Sequence, residues 1–268
     1  MPVAWSMLHQ PEPTALAAAC ALAHRAAQWP ARAARANLEP KPDDSHASLA
    51  WDAETAALFS APLARGIRVG LRIGVHELLF TKGRKTEQFA LAGRSEAEAG
   101  HWLDRRLIDA GLKPTLGVKL PYAMPPGLFG RPAEEAPHLA ALAGWFAAGA
   151  EVLEAFRKKH QRHKPGALRC RPHHFNLATL IELGGGRAIG AGLSPGDRHF
   201  AQPYFYVCPY PKPDTERLPP LPPAGRWRTR GFFGAVATAF DLLHQKDPRA
   251  AAMKVLEAGF EESLRRLG

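Results

Sequence analysis

The sequence predicts an α+β fold in which antiparallel or mixed sheet hairpins are packed by amphipathic helices. Three observations carry this. From Ile67 the apolar residues recur at every second position through IRVGLRIGV, the period of a half-buried strand. Around Gly184-Gly185-Gly186, two strand-forming stretches flank glycines free to take positive φ, the signature of a hairpin. Between Leu139 and Phe156 the residues Leu139, Leu142, Phe146, Leu153 and Phe156 keep helical spacing, with Trp145 and Val152 widening the stripe. Strands and helices do not alternate as βαβ units and no long repeat is present, so a doubly wound sheet and a solenoid are set aside.

In chain order, Thr14 is placed to cap a first helix that runs to about Gln28 and is stopped by Pro30, with Leu16, Cys20 and Ala23 on one face. Ala31 to Ser45 reads as a connection and His46 to Trp51 as a short strand. The run from Ile67 to Phe80 is one strand arm, with Ile67, Val69, Leu71, Ile73 and Val75 on one face and Arg68, Arg72 and His76 on the other. A turn at Lys82-Gly83-Arg84 sends it back through KTEQFAL. Ser95 and Glu98 make a capping box for a helix that buries Ala99, Trp102, Leu103, Leu107 and Ala110 and is closed by Gly111. Leu116 to Leu120 is a further strand, followed by a proline-rich link and the long helix.

His173 to Leu183 and Arg187 to Leu193 are the arms of the glycine hairpin. Gly190 and Gly192, two apart on the thin return arm, mark a bulge or the close approach of another backbone or a ligand. Ser194-Pro195-Gly196-Asp197 forms a turn. Pro203 to Tyr210 is a strand with Tyr204, Tyr206 and Cys208 facing one way and Phe205 and Val207 the other. Phe232 to Leu243 reads as a helix through Phe233, Val236, Phe240 and Leu243, and Asp247-Pro248 opens a last helix with Leu256, Phe260, Leu264 and Leu267 on its core face.

A chain of 268 residues buries roughly three quarters of its unfolded surface. Residues 1–46 read as an N-terminal helix and linker. Residues 47–268 read as one α+β domain, or as two closely packed lobes divided near 121–137. The formal charge of +10 rests on arginine in an alanine- and proline-rich chain, a composition common in bacterial proteins of high GC content. General surface character explains it better than a dedicated nucleic-acid site, so a nucleic-acid partner is not expected. Cys20, Cys170 and Cys208 are dispersed and odd in number, which points to neither a disulfide framework nor a Cys-x-x-Cys metal site, but to a reducing cytoplasm. No run of 18 apolar residues is present and Ala15 to Ala23 lacks a cationic start, so a soluble protein with no membrane span is expected.

The order of Phe156-Arg157, Lys164, Phe175-Asn176-Leu177-Ala178, Ser194-Pro195-Gly196, and Pro203-Tyr204-Phe205-Tyr206 leading to Tyr210-Pro211-Lys212-Pro213 resembles the bacterial proteins grouped as domain of unknown function 5996. The likeness runs from about Phe89 to the C-terminus. Asn176 stands where that family carries an acidic residue, and Arg171-Pro172-His173-His174 replaces a tryptophan-rich approach to the same strand. The resemblance implies a fold unit and the place of a site, without a chemistry.

The densest polar stretch is Arg169 to Tyr210, so the expected site is a small-molecule or anion pocket lined by Lys164, Arg171, Asn176, Ser194, Tyr204 and Tyr206. His174, Asp197 and His199 are the candidates for acid/base work or for a divalent metal, because imidazole and carboxylate are the usual ligands of zinc, iron or manganese. A metal-dependent hydrolase using those three is one alternative. On a strand, His173 faces away from His174, and no His-x-x-x-His or His-Glu-x-x-His spacing supports a metal. The second alternative is a nucleic-acid or protein-interaction module built on Arg157 to Arg171, which carries seven lysines and arginines and no acid; its first half equally serves as the cationic end of a helix.

Overall fold

The computed structural model describes residues 5, 8, 13–124, 129 and 136–268. The chain divides into two compact units. The first comprises Thr14–Ala143 and Arg169–Phe175; the second comprises Gly144–Leu168 and Asn176–Gly268 with the described residues of the N-terminal segment. Both are α+β and every strand ladder within them is antiparallel. The Thr14 cap and most of the 121–137 link lie outside the described side chains and residues.

The first unit holds α1 (Pro13–Ala26), α2 (Gln28–Asn37), β1 (Leu49–Asp52), β2 (Ala57–Ser60), β3 (Ile67–Arg72), β4 (Glu77–Lys82), β5 (Lys85–Ala90), α3 (Glu96–Asp109) and β6 (Arg169–Arg171). Its strands run in the order β6-β1-β2-β3-β4-β5. Leu58, Leu71 and Leu78 share one face by their register and are fully buried. On the opposite face Phe59 lies across Gly70, where an added Cβ would stand 2.6 Å from the ring. Trp29 of α2 fills the space beside Gly100 of α3 in the same way, at 2.8 Å. The Ser95–Glu98 capping box forms as expected.

Pro30 does not end the helical stretch. It sits in the first turn of α2, where its missing N–H is harmless, and the break falls at Ala27, because the proline ring excludes the carbonyl four residues back. Ala31 to Asn37 is therefore helix, and the connection is confined to the residues between Asn37 and Ser45. The Ile67 arm stops at Arg72; a turn follows, so Val75 is 56 % exposed and His76, at φ 52°, is buried, the reverse of the alternation expected. Leu116 to Leu120 is not a strand, and Leu116 is 85 % exposed.

In the second unit, α4 (Ala136–Lys159) enters from the first and belongs to the second from Gly144. Its stripe is buried as the spacing predicts, with Phe146, Leu153 and Phe156 inaccessible. By length and composition alone Pro137–Lys159 is apolar enough to cross a membrane, and just over half of its most apolar stretch is buried inside the protein. Then come β7 (Asn176–Gly184), β8 (Arg187–Ser194), β9 (Tyr204–Tyr210), β10 (Arg226–Arg228), β11 (Gly234–Thr238), α5 (Ala239–Leu243) and α6 (Pro248–Leu267), with strand order β10-β11-β9-β8-β7. The glycine hairpin closes with Leu177 opposite Leu193.

The helices cover one face of this sheet. Gly149 of α4 lets Leu193 approach, Gly259 of α6 seats on Ala235 and Val207, and Phe156 meets Phe260 edge-on at 5.6 Å. Phe232 to Leu243 is not a helix throughout. Gly234–Thr238 is a strand whose five residues are all buried, and only Ala239–Leu243 is helical, capped by the Thr238 side chain. A short apolar run flanked by glycine satisfies either period, and sheet pairing decides it here. Phe240, expected in the core, is 51 % exposed.

Candidate functional site

The expected site residues fall into two groups, one in each unit. In the second unit, Asn176, Ser194, Tyr204 and Tyr206 share the helix-free face of the sheet, because Ser194 pairs with Tyr204 and Gly192 with Tyr206 across β8 and β9. Tyr206 lies over Gly192, where a Cβ would stand 2.5 Å from the phenol oxygen, and its hydroxyl accepts a 2.5 Å bond from Asn176 Nδ2. Gly192 thus marks a close approach by the protein's own side chain. Tyr204 donates to Asp197 Oδ2 at 2.6 Å, Ser194 Oγ reaches the same oxygen at 3.4 Å, and Asp197 Oδ1 accepts the backbone N–H of His199 at 2.7 Å and of Phe200 at 3.2 Å. Burial and the neighbouring carboxylate raise the Tyr204 phenol well above its ordinary range. Both oxygens of Asp197 therefore hold its own loop.

His199 belongs to a separate contact set: its Nδ1 lies 3.3 Å from Arg228 Nη2 and its ring meets Phe232. Among the described residues, no group of three His, Cys, Asp or Glu side chains is placed to hold a metal ion. Lys164 is exposed at the end of a short 3-10 turn. Nearby, Arg157 pairs with Glu154 and donates to the Gly166 carbonyl, and Lys159 pairs with Glu257, so part of the basic segment is compensated locally.

Arg171 and His174 lie in the first unit, in a denser polar arrangement. β6 ends at Arg171 and the chain turns: the backbone N–H groups of His174 and Phe175 both donate to Arg171 O, at 3.1 and 2.8 Å, with Phe175 at φ 54°. His173 and His174 are consequently not on a strand. Their rings lie side by side, centroids 4.1 Å apart, rather than on opposite faces. The turn carbonyl of Pro172 receives two donors from the N-terminal helices, His24 Nε2 at 2.6 Å and Gln28 Nε2 at 2.9 Å. The His24 bond fixes its tautomer, since a carbonyl only accepts. Its ring stacks on Phe175 at 5.1 Å. Tyr122 donates to Gln28 Oε1 at 2.9 Å and packs on His173 at 5.6 Å.

Cations ring this cluster. Arg35 is paired with Asp44, and Asp44 lies 3.8 Å from the His46 ring, itself 6 % exposed. Arg32 rests over Trp29 at 5.2 Å. The Nε atoms of Arg32 and Arg35 and Nε2 of His46 are buried with no hydrogen-bond partner among the described residues. Burial lowers His24 to about 4, with His173 and His174 adding to the effect. Burial likewise lowers His173, helped by His174 and Arg171 and opposed by Asp44. It pushes Tyr122 up to about 12 against the pull of Arg35 beside it. At neutral pH the cluster therefore presents uncharged His24 and His173 rings and a phenol next to fixed guanidinium charge.

Only Arg171, His173 and His174 of this cluster were singled out in the sequence. His24, Gln28, Arg32 and Arg35 were missed, although they recur at helical spacing in an otherwise alanine-rich stretch, the mark of a polar stripe on one face. Tyr122 and Asp44 sit in irregular segments with no periodicity to reveal them. The chain matches no family model, no curated protein and no solved structure.

Proposed function

We propose that the protein binds a small anionic molecule at the His173–His174 turn of the first unit, with Arg35, Arg32, Tyr122 and His173 as the recognising groups. The observation that supports this reading is the convergence of two helices, the Asp44–His46 segment, Tyr122 and the turn on one cluster that still holds buried, unpartnered donors on Arg32 and Arg35. Buried donors without acceptors cost about 1 to 3 kcal/mol each, and an anion at the cluster would supply acceptors for them. Guanidinium forks match the geometry of carboxylate and phosphate. Uncharged imidazoles beside them bind or relay a proton without adding repulsion. The resemblance to domain of unknown function 5996 is proposed with it, as the group in which the same turn would be sought.

A thermal-shift series with inorganic phosphate, citrate and a nucleoside monophosphate tests the reading. At least one should raise the melting temperature of the wild type. Arg171→Ala, whose charge acts on His173, should reduce that shift, whereas Lys164→Ala should leave it unchanged. Equal loss in both variants would show general charge rather than a site.

A further inference from the structure

We propose that the helix-free sheet face of the second unit binds single-stranded nucleic acid along β10, through Arg226, Arg228 and Arg230. The segment RWRTRGFF alternates arginine with other residues from Arg226. On β10, Arg226 pairs with Val236 and Arg228 with Gly234, which puts both arginines on the face of Tyr204 and Tyr206 and sends Trp227 to the helix-covered side. Trp227 anchors the strand there, stacked on Phe233 at 5.5 Å and 1°. Arginines two residues apart on a strand stand about 6.7 Å apart, a step an extended phosphate backbone can follow.

Aromatic rings flank the stripe. The Arg228 guanidinium lies 5.0 Å from the Phe200 ring centre and 5.5 Å from that of Phe232, and Arg226 lies 5.7 Å from Phe200. Phe200, Tyr206, Phe232 and His199 are all partly accessible. The only carboxylate paired with the stripe among the described residues is Asp241, 2.9 Å from Arg226; Asp197, nearby, is used by its own loop. Among the described residues no carboxylate pairs with Arg228 or Arg230, and Arg198 adds a further exposed cation on the loop bearing Phe200.

A cationic edge strand also discourages strand pairing, and that role alone would explain exposed arginines. It does not explain a guanidinium 5.0 and 5.5 Å from two phenyl rings, next to further accessible aromatics. Phosphate-tracking charge with stacking rings is the combination used for single strands. The whole-chain excess of arginine says little; the reading rests on the phenyl rings beside Arg228 and Arg226.

The test is fluorescence anisotropy with labelled oligothymidylate and oligouridylate between about 50 and 200 mM salt. Wild type should bind at the lower salt. Arg228→Ala with Arg230→Ala should weaken binding at least about tenfold and lower the salt slope by about one per cation removed. Arg228→Lys, which retains charge and is the safer variant for folding, should lose less. Phe200→Leu should weaken binding at unchanged salt slope, and Lys158→Ala with Arg162→Ala should have no effect. Absence of binding at low salt overturns the proposal. So does wild-type binding by the double alanine variant, or displacement by heparin together with no effect of Phe200→Leu, which would show a base-independent charged surface. None of these variants touches the His173–His174 cluster, so the two readings fail separately.

Discussion

Gly192 and His76 show how far single residues can be read. Two glycines at alternate positions of a strand signal a close approach, and Gly192 makes one, under the Tyr206 ring. Gly192→Ala must displace that ring and break its bond to Asn176. A loss of about 1 to 3 kcal/mol in denaturant unfolding is expected, with Asn176→Ala costing less because it leaves the ring in place. His76 was illegible, because strand alternation assigned it to solvent while a turn at positive φ buries it. Burial lowers its pKa to about 4, as it does for His24. Unfolding restores both to near 6.5, so the unfolded state binds more protons between those values. Their contribution is complete above about pH 6.5 and is lost as pH falls towards 4. His76→Asn suits the left-handed backbone and removes the titration. Its unfolding free energy should fall by about 2 kcal/mol less than that of the wild type between pH 7 and pH 4.5; parallel curves would show that His76 is not the group responsible.

At the scale of elements, helices announced themselves better than strands. The α4 stripe is a sustained period, the Ser95 capping box and the Asp247-Pro248 start add a local cap to one, and all three form. Phe146 is inaccessible, so Phe146→Ala should cost about 3 to 5 kcal/mol in equilibrium unfolding; a loss under about 1 kcal/mol would place it outside the core. Pro30 misled because proline stops a helix only from its interior and is welcome in a first turn. β11 misled because five buried residues between glycine and a helix cap carry no period of their own, and its partner β9 lies far away in sequence.

For the whole molecule, the chain leaves the first unit at Ala143, returns to it for Arg169–Phe175, and leaves again. That return was invisible in the sequence, which placed Arg171 to Tyr210 around a single site. The same short segment carries His173 and His174 to α1, α2 and Tyr122, contacts spanning up to 148 positions. Half of the candidate site was legible as a local concentration of histidine and arginine. The other half is a polar stripe at helical spacing together with Tyr122 and Asp44, and its pairing with the turn is long-range and encoded in no local pattern. The central claim is that this cluster recognises an anion, and isothermal titration calorimetry of inorganic phosphate, citrate and a nucleoside monophosphate into the wild type, Tyr122→Phe and His173→Asn tests it most directly. The account predicts saturable binding of at least one of the three, weakened about tenfold in each variant, the worth of one hydrogen bond to a charged group, with melting temperatures little changed. No binding of any of them, or variants that bind as the wild type does, would contradict it.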